Sequence, residues 1–508
     1  MSGPCWCALP DWKVGTVLLP VTLRSALDSS SQISFRKLTI ILGLMLCLSI
    51  GACTSEDQTD PASTLNQDNV KRQLNSLPYV TRTKVREENK GLRGVILNDE
   101  ERAIPGLNLY GSLTRREAYL RTMSGDLVHT WSAEGVFTDR ADFPLPAEIM
   151  DAIDGPIAPG LTVAEVHGDH LLAIESLSGL VKLDWNSDVI FALENNAHHD
   201  VDTTADGTIY VLTAVPRWVD TGSGNTIIVD DVIERLSADG VIEQSYSIFE
   251  ILASDPNLQK LVSGHMGVAM HWFKNMDQWK QSKTKDKDME KSSFDAMFNL
   301  YDEVFVQKTR TLKQSHQLYV LFLTPADILH CNTLQVLPAR EDGLWKEGNV
   351  LVSVRNMDLI VVLDLEEGKV VWAWGPGEIS RQHQPSLLAN GNILIFNNGT
   401  ANGRSGIIEL NPATREIVQT YGDTPETKFF CGAMGGVQGL PNQHYLITNS
   451  AIGRVFELDH NHQVVWDFFN PEQGYNPFGR PGDDETIEAI YRLVRVDESS
   501  LKTMVGRD

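Results

Sequence analysis

Cysteine is scarce in this chain: six residues in 508, and none in a metal-binding spacing. No Cys-x-x-Cys pair, no zinc-type pattern, no phosphate-binding Gly-x-x-x-x-Gly-Lys and no Gly-x-Gly-x-x-Gly occurs. Cys5, Cys7 and Cys47 precede a candidate processing point at Cys53, so Cys331 and Cys431 are the only pair left for a disulfide. They fall in different repeats of the pattern described below, and no bridge is expected between them. Positive charge is also short. With 43 Lys and Arg against 67 Asp and Glu, the net charge is −24, which leaves no basic footprint for nucleic acid and reads as solubility. A membrane-spanning run is missing too. The apolar stretch Leu38–Ile50 behind Arg36–Lys37 is too short to cross a bilayer.

That stretch reads instead as an export signal. It ends in "IGAC" at Cys53 and resembles a bacterial lipoprotein signal, in which the cysteine is lipidated and becomes the first mature residue. Residues 1–34 fit no part of such a signal and read as an over-extended gene start. Thr54 behind the cysteine points to a periplasmic protein held at the outer membrane, and "TSEDQTDPASTLN" is a flexible tether. The expected organisation is a signal region 1–53, a tether and lead-in 54–100, and one repeat domain over 101–508.

The repeats have a visible anchor. Six stretches alternate apolar and polar residues, turn, and alternate again, which is a β-hairpin signature. Their anchors are Leu120–Arg121, Leu183–Asp184, Leu236–Ser237, Leu363–Asp364, Leu410–Asn411 and Leu458–Asp459. Spacings are 53 from Leu183 to Leu236, then 47 and 48 between the last three. Periods near 40–50 residues with about four short strands each indicate propeller blades. The expected fold is all-β, a six-bladed β-propeller. A segment of about 75 residues between Glu250 and Asp327 breaks the repeat with helical patterning. This helical insertion, residues 251–326, reads equally as a lid over the channel or as a packing or dimerisation appendage, so a homodimer stays open.

Three histidines share one register. His199 precedes Gly207 by eight residues and His383 precedes Gly391 by eight, each ahead of an apolar run; "HCNTLQVLP" from His330 starts the same way. In a ring, residues at one repeat position converge, so these three belong at a channel mouth. Asn332 lies two residues past His330, on the same side of an extended strand. Arg355 ends the strand "NVLVSVR", Asn398 takes the equivalent place one repeat later, and His198 and Asp200 flank His199. Imidazoles, amides and an arginine around one cavity suit a tetrahedral anion, and a neutral imidazole is a competent nucleophile there.

The same residues carry a family resemblance. "DILHCNTLQVLP", "VSVRNMDLIVVLD" and "RQHQPSLLANGNILIFNNG" resemble the nucleotide-independent bacterial arylsulfotransferases, as do "HHDVDTTADG" and "AIYRLVRV" near Tyr491. The resemblance runs from about Ala164 to Val496. It implies a six-bladed periplasmic propeller and ping-pong transfer of a sulfuryl group from an aryl sulfate to a phenol, without metal or other cofactor. On that pattern His383 is the nucleophile. His330, Asn332 and Arg355 bind the sulfuryl oxygens, His199 carries protons, and His198, Asn398 and Arg404 line the substrate site. Two departures stand out: Asn397 replaces the family's Asp in Phe-Asp-Asn-Gly, and Pro385 replaces a polar residue near the nucleophile. Other classes remain open. Three histidines on a propeller axis also suit a metalloenzyme, although Arg355 would repel the metal, and a propeller can bind sulfated or phenolic ligands without turnover. A quinone-cofactor dehydrogenase would show a repeating tryptophan pattern that this chain lacks.

Overall fold

The computed structural model describes residues 91–137, 160–221, 224–270, 326–422, 424, 427–473, 487–499 and 501. Cys53, the signal region and the tether lie outside these residues. So does the insertion beyond residue 270 and up to residue 325.

The strands form six antiparallel sheets, five of four strands and one of five, arranged as a six-bladed propeller. Blades 2 to 5 each use four consecutive strands. In blade 3, for example, these are Ala197–Thr203, Ile209–Asp220, Asn225–Leu236 and Ile242–Ser247. The leading strands of successive blades touch one another from Leu161–His167 round to Leu493–Val496, which makes them the innermost strands. Every expected anchor falls at the end of a third strand. At all six the pairing with the fourth strand slips by one residue. A bulge at the same place in each hairpin bends and twists the outer strand, which is why the turn left one recurrent mark in the sequence.

Closure uses both ends of the described chain. Leu493–Val496 is the innermost strand of blade 1, pairing Leu107 with Val496 and Tyr110 with Leu493. Gly94–Asn98 adds a fifth strand outside Val464–Phe469 in blade 6.

Innermost strands have one edge with no sheet neighbour, and buried N–H groups there need acceptors. Side chains of the preceding blade supply them at a spacing of two. Asp200 Oδ2 accepts from Leu334 N at 2.9 Å and Asp202 Oδ2 from Val336 N at 2.7 Å. Thr333 Oγ1 and Gln335 Oε1 do the same for Gln384 N and Leu387 N, at 2.9 and 2.8 Å. This stitching fixes the angular register of blades 3, 4 and 5.

The insertion begins at Ile248–Ser254, a helix with Ser247 as N-cap, slightly before the expected boundary. It packs on Asn225–Leu236, the third strand of blade 3, and on Lys369–Trp374, the fourth strand of blade 4, and helical backbone resumes at 259–270. Among the described residues no helix is long and apolar enough to cross a membrane.

Candidate active site

Innermost strands all run the same way, so their first residues collect at one mouth of the propeller. The histidines occupy that position in three consecutive blades. His199 is the third residue of Ala197–Thr203, His330 immediately precedes Cys331–Val336, and His383 opens His383–Leu387. They therefore begin the innermost strand, where the sequence pattern had put them just ahead of it. Each start is irregular. The pairing slips between Ala197 and Val201, between Cys331 and Thr333, and between His383 and Ser386. His199, His330 and Gln384 have φ of 58°, 50° and 45°, left-handed values that side chains other than Gly adopt at a cost and that cluster at functional sites. The bulge also accommodates Pro385, whose missing N–H would break a regular ladder. Asn332 lies in a bulge as well, so simple alternation does not place it beside His330. Its Nδ2 donates to Gln382 O at 2.9 Å and ties blade 4 to blade 5.

The rings of His199 and His330 are 4.7 Å apart. Each of the three imidazoles is held through Nδ1 by a different partner. His383 Nδ1 lies 2.7 Å from Asn398 Oδ1 and 3.1 Å from Arg381 O. Asn398 Nδ2 donates to Cys431 O and Met434 O at 2.8 and 2.7 Å. Its oxygen must therefore face the ring, so His383 Nδ1 carries the hydrogen and Nε2 the lone pair. His330 Nδ1 donates to Asp327 Oδ2 at 2.6 Å, while Asp327 Oδ1 accepts from His330 N at 3.0 Å. His199 Nδ1 meets His198 Nδ1 at 2.7 Å, and His198 Nε2 lies 3.2 Å from Asp231 Oδ1. The hydrogen between the two Nδ1 atoms comes from one ring or the other. In His383 and His330 the lone pair belongs to Nε2.

Arg355 is buried where the second strand of blade 4, Val350–Val354, enters a 3-10 turn. Burial first, then neighbouring charges that include Arg355, holds His199 and His330 well below the ordinary imidazole range. Burial followed by Arg355 lowers His383 to about 3. Burial is the larger cause at all three rings, and Arg355 adds to it at each.

Residues that the repeat register did not flag complete the group. Tyr491, on the approach to the closing strand, has its ring 5.8 Å from that of His199 and its hydroxyl 3.5 Å from Asn332 O. Burial pushes its phenol pKa up. Asp327 could have been found from Asp-x-x-His, whereas Asp231 comes from a separate hairpin and left no local signal. Asn356 is a hub: Oδ1 accepts from Arg355 Nη1 at 2.9 Å and from Arg381 Nη1, and Nδ2 donates to Asp327 O at 2.6 Å. His265 Nε2, on the insertion's 259–270 segment, lies 3.0 Å from Asn356 O, which brings the insertion against the arginine-bearing turn.

Other expected members have partners of their own. Asp200 is engaged with Arg492 Nη1 at 2.8 Å as well as with Leu334 N. Arg404 is exposed on the turn after Asn398. Asn397 Oδ1 accepts from Ser380 N and Gly399 N at 2.9 and 3.1 Å. The departure from Asp at that position therefore falls on a loop cap. Cys331 and Cys431 are buried and free. Among the described residues no three His, Cys, Asp or Glu side chains have the arrangement of a metal site.

A six-bladed propeller with neutral histidines and a buried arginine at one mouth is an architecture for handling an anion. The chain belongs to the arylsulfotransferase (ASST) family, whose model matches residues 177–471. No curated protein matches it. Among solved structures it is similar to a protein of unknown function from Bacteroides caccae, at 11% identity and TM-score 0.39, covering 72% of this chain and 94% of that one. It is similar to virginiamycin B lyase from Staphylococcus aureus at 8% identity and TM-score 0.35, covering 77% and 88%. The Dos1 propeller is similar at 6% identity and TM-score 0.35, covering 76% and 80%.

Proposed function

We propose that the protein transfers a sulfuryl group from an aryl sulfate to a phenol through a sulfohistidine at His383. The observation that carries this reading is the pinned ring. Asn398 holds Nδ1–H, burial and Arg355 keep the ring neutral, and Nε2 offers its lone pair where a cation can receive the sulfuryl oxygens. Nε2 attacks sulfur, the S–O bond to the aryl group breaks, and the leaving phenolate takes a proton. An acceptor phenol then attacks sulfur, the N–S bond breaks, and the phenolic proton passes to the protein. The leaving phenolate takes its proton from solvent, since the three rings are neutral; His330, backed by Asp327, with His199 beside it, backed by His198 and Asp231, takes the acceptor's proton in the second step. Arg355, with the second Nδ2 hydrogen of Asn332, stabilises charge on the sulfuryl oxygens and on the departing phenolate.

The test is a rapid-mixing experiment with 4-nitrophenyl sulfate, with and without phenol. The expected result is a burst of one equivalent of 4-nitrophenol without acceptor, an acid-labile sulfuryl group on the His383 peptide, and turnover when phenol is added. His383→Asn is expected to lose both burst and exchange. No burst with any aryl sulfate would leave a binding propeller in its place.

By the same reading the protein is exported and lipid-anchored at Cys53 in the periplasm, as the signal pattern supports. Cys53→Ser is expected to lose lipid labelling and leave the membrane fraction; unchanged fractionation would refute the anchor.

A further inference from the structure

Arg381 is a cation that the reaction as drawn does not use. It stands two residues before His383, at φ 57°, with its N–H on Asp358 Oδ1 at 2.7 Å and its carbonyl 3.1 Å from His383 Nδ1. The backbone is thus fixed from both sides, and the side chain leaves it at the mouth of blade 5. The guanidinium is half-buried. Among the described residues it makes one hydrogen bond, to the neutral Asn356 Oδ1, and pairs with no carboxylate. That oxygen also accepts from Arg355 at 2.9 Å, so two guanidinium groups converge on a single amide oxygen. Nearby carboxylates are committed: Asp327 holds His330 through both oxygens, and Asp358 caps the Arg381 backbone. Its charge also reaches the site, as one of those that hold His330 unprotonated.

Two like charges brought together away from bulk water repel strongly. The chain has 67 acidic residues against 43 basic ones, and none of the described carboxylates pairs with Arg381. An anion on Arg381 relieves that repulsion. In the reading above the sulfuryl group sits at Arg355, which leaves a planar donor fork at Arg381 that matches a carboxylate.

We propose that Arg381 forms a subsite for a carboxylate carried by the aromatic donor or acceptor, beside the position of the sulfuryl group. The inference rests on the reading of His383 as the sulfuryl carrier. It makes the substrate class hydroxyaryl carboxylic acids and their sulfate esters.

The full-length protein, with 4-nitrophenyl sulfate as donor, is given three acceptors of similar size: 4-hydroxyphenylacetate, 4-hydroxyphenylethanol and tyramine. Wild type is expected to rank them anionic, neutral, cationic in kcat/KM. Arg381→Gln is expected to lower the anionic-to-neutral ratio about ten- to a hundredfold, the range a charge-assisted hydrogen bond supplies, and Arg381→Lys to restore part of it. A donor arm, 4-sulfooxybenzoate against phenyl sulfate with phenol as acceptor, tells which partner carries the carboxylate. Equal loss for every substrate would overturn the subsite and assign Arg381 to the sulfuryl group; a wild type indifferent to acceptor and donor charge would overturn it as well. Calorimetric titration with 4-hydroxybenzoate needs no turnover. Binding lost in Arg381→Gln supports the subsite even if no aryl sulfate is cleaved, and binding unchanged in that variant overturns it even if sulfuryl transfer is robust.

Discussion

A neutral imidazole attacks only through the nitrogen without a hydrogen, so at the residue scale the site is decided by which nitrogen each ring has committed. Asn398, Asp327 and His198 each engage Nδ1. Their chemistry differs, and so should the roles. An amide partner suits a ring that stays neutral and attacks, whereas a carboxylate partner suits one that takes up a proton. Arg355 is the shared cation, and Arg355→Lys should keep the charge but lose the planar fork. The expected cost is about 2.7–4 kcal/mol in kcat, a hundred- to a thousandfold, with an unchanged melting temperature; a tenfold loss or less would remove Arg355 from the transition state. The depressed pKa of His383 has a stability consequence. Its folded value is about 3, against roughly 6.5 in the unfolded chain. Between those values the unfolded chain binds a proton that the folded one refuses. The stability of the neutral ring is therefore complete above about pH 6.5 and lost as pH falls. Relative to wild type, His383→Asn should gain about 2 kcal/mol between pH 7.5 and pH 5, measured by urea unfolding. Comparing the two proteins cancels opposing groups such as Asp202, which burial pushes up to about 6. A constant difference across that range would mean that His383 titrates normally in the folded protein.

At the scale of the strand, the histidine register was legible because in blades 3, 4 and 5 the innermost strand starts at a histidine and the second strand follows a turn that demands glycine. Gly207, Gly348 and Gly391 stand at φ 89°, 82° and 82° ahead of the second strands. The irregularities at the other end were not legible. Left-handed backbone at His199 and His330 and the bulge around Asn332 arise from packing between blades, and no local pattern announces them. Asp231 and Asn356 were missed for the same reason, since each reaches the histidines from a different strand or turn. Gly391 lies at the far end of its strand from His383, about 16 Å away at the usual rise. Gly391→Ala should cost about 1–2 kcal/mol through left-handed strain while exchange kinetics stay as in wild type. A change in the burst of 4-nitrophenol would mean that strain at the turn travels along the strand.

At the scale of the whole molecule, six anchors were enough to count six blades, because every blade repeats the same bulged hairpin. How the ring closes could not be counted that way. "AIYRLVRV" reads as a strand, but nothing in it names Leu107–Gly111 as its partner nearly 390 residues earlier. The two closing strands also differ in what they hold. Gly94–Asn98 adds a fifth strand to an already complete sheet on the rim, and its Ile96 and Leu97 are exposed. Leu493–Val496 is innermost, follows Tyr491 and Arg492 at the mouth, and anchors Arg495 to Asn108 and Glu457 at 2.7 and 3.0 Å. Removing residues 1–98 should therefore lower the melting temperature by a few degrees and leave the burst intact. Removing 493–508 should open the ring at its axis, giving aggregated protein or a broad unfolding transition without a burst. Calorimetry and the burst assay on the two truncations decide it. Should the C-terminal truncation unfold cooperatively and still release an equivalent of 4-nitrophenol, closure by that strand would not be what assembles the mouth, and the contacts among blades 3, 4 and 5 would suffice to hold the three histidines.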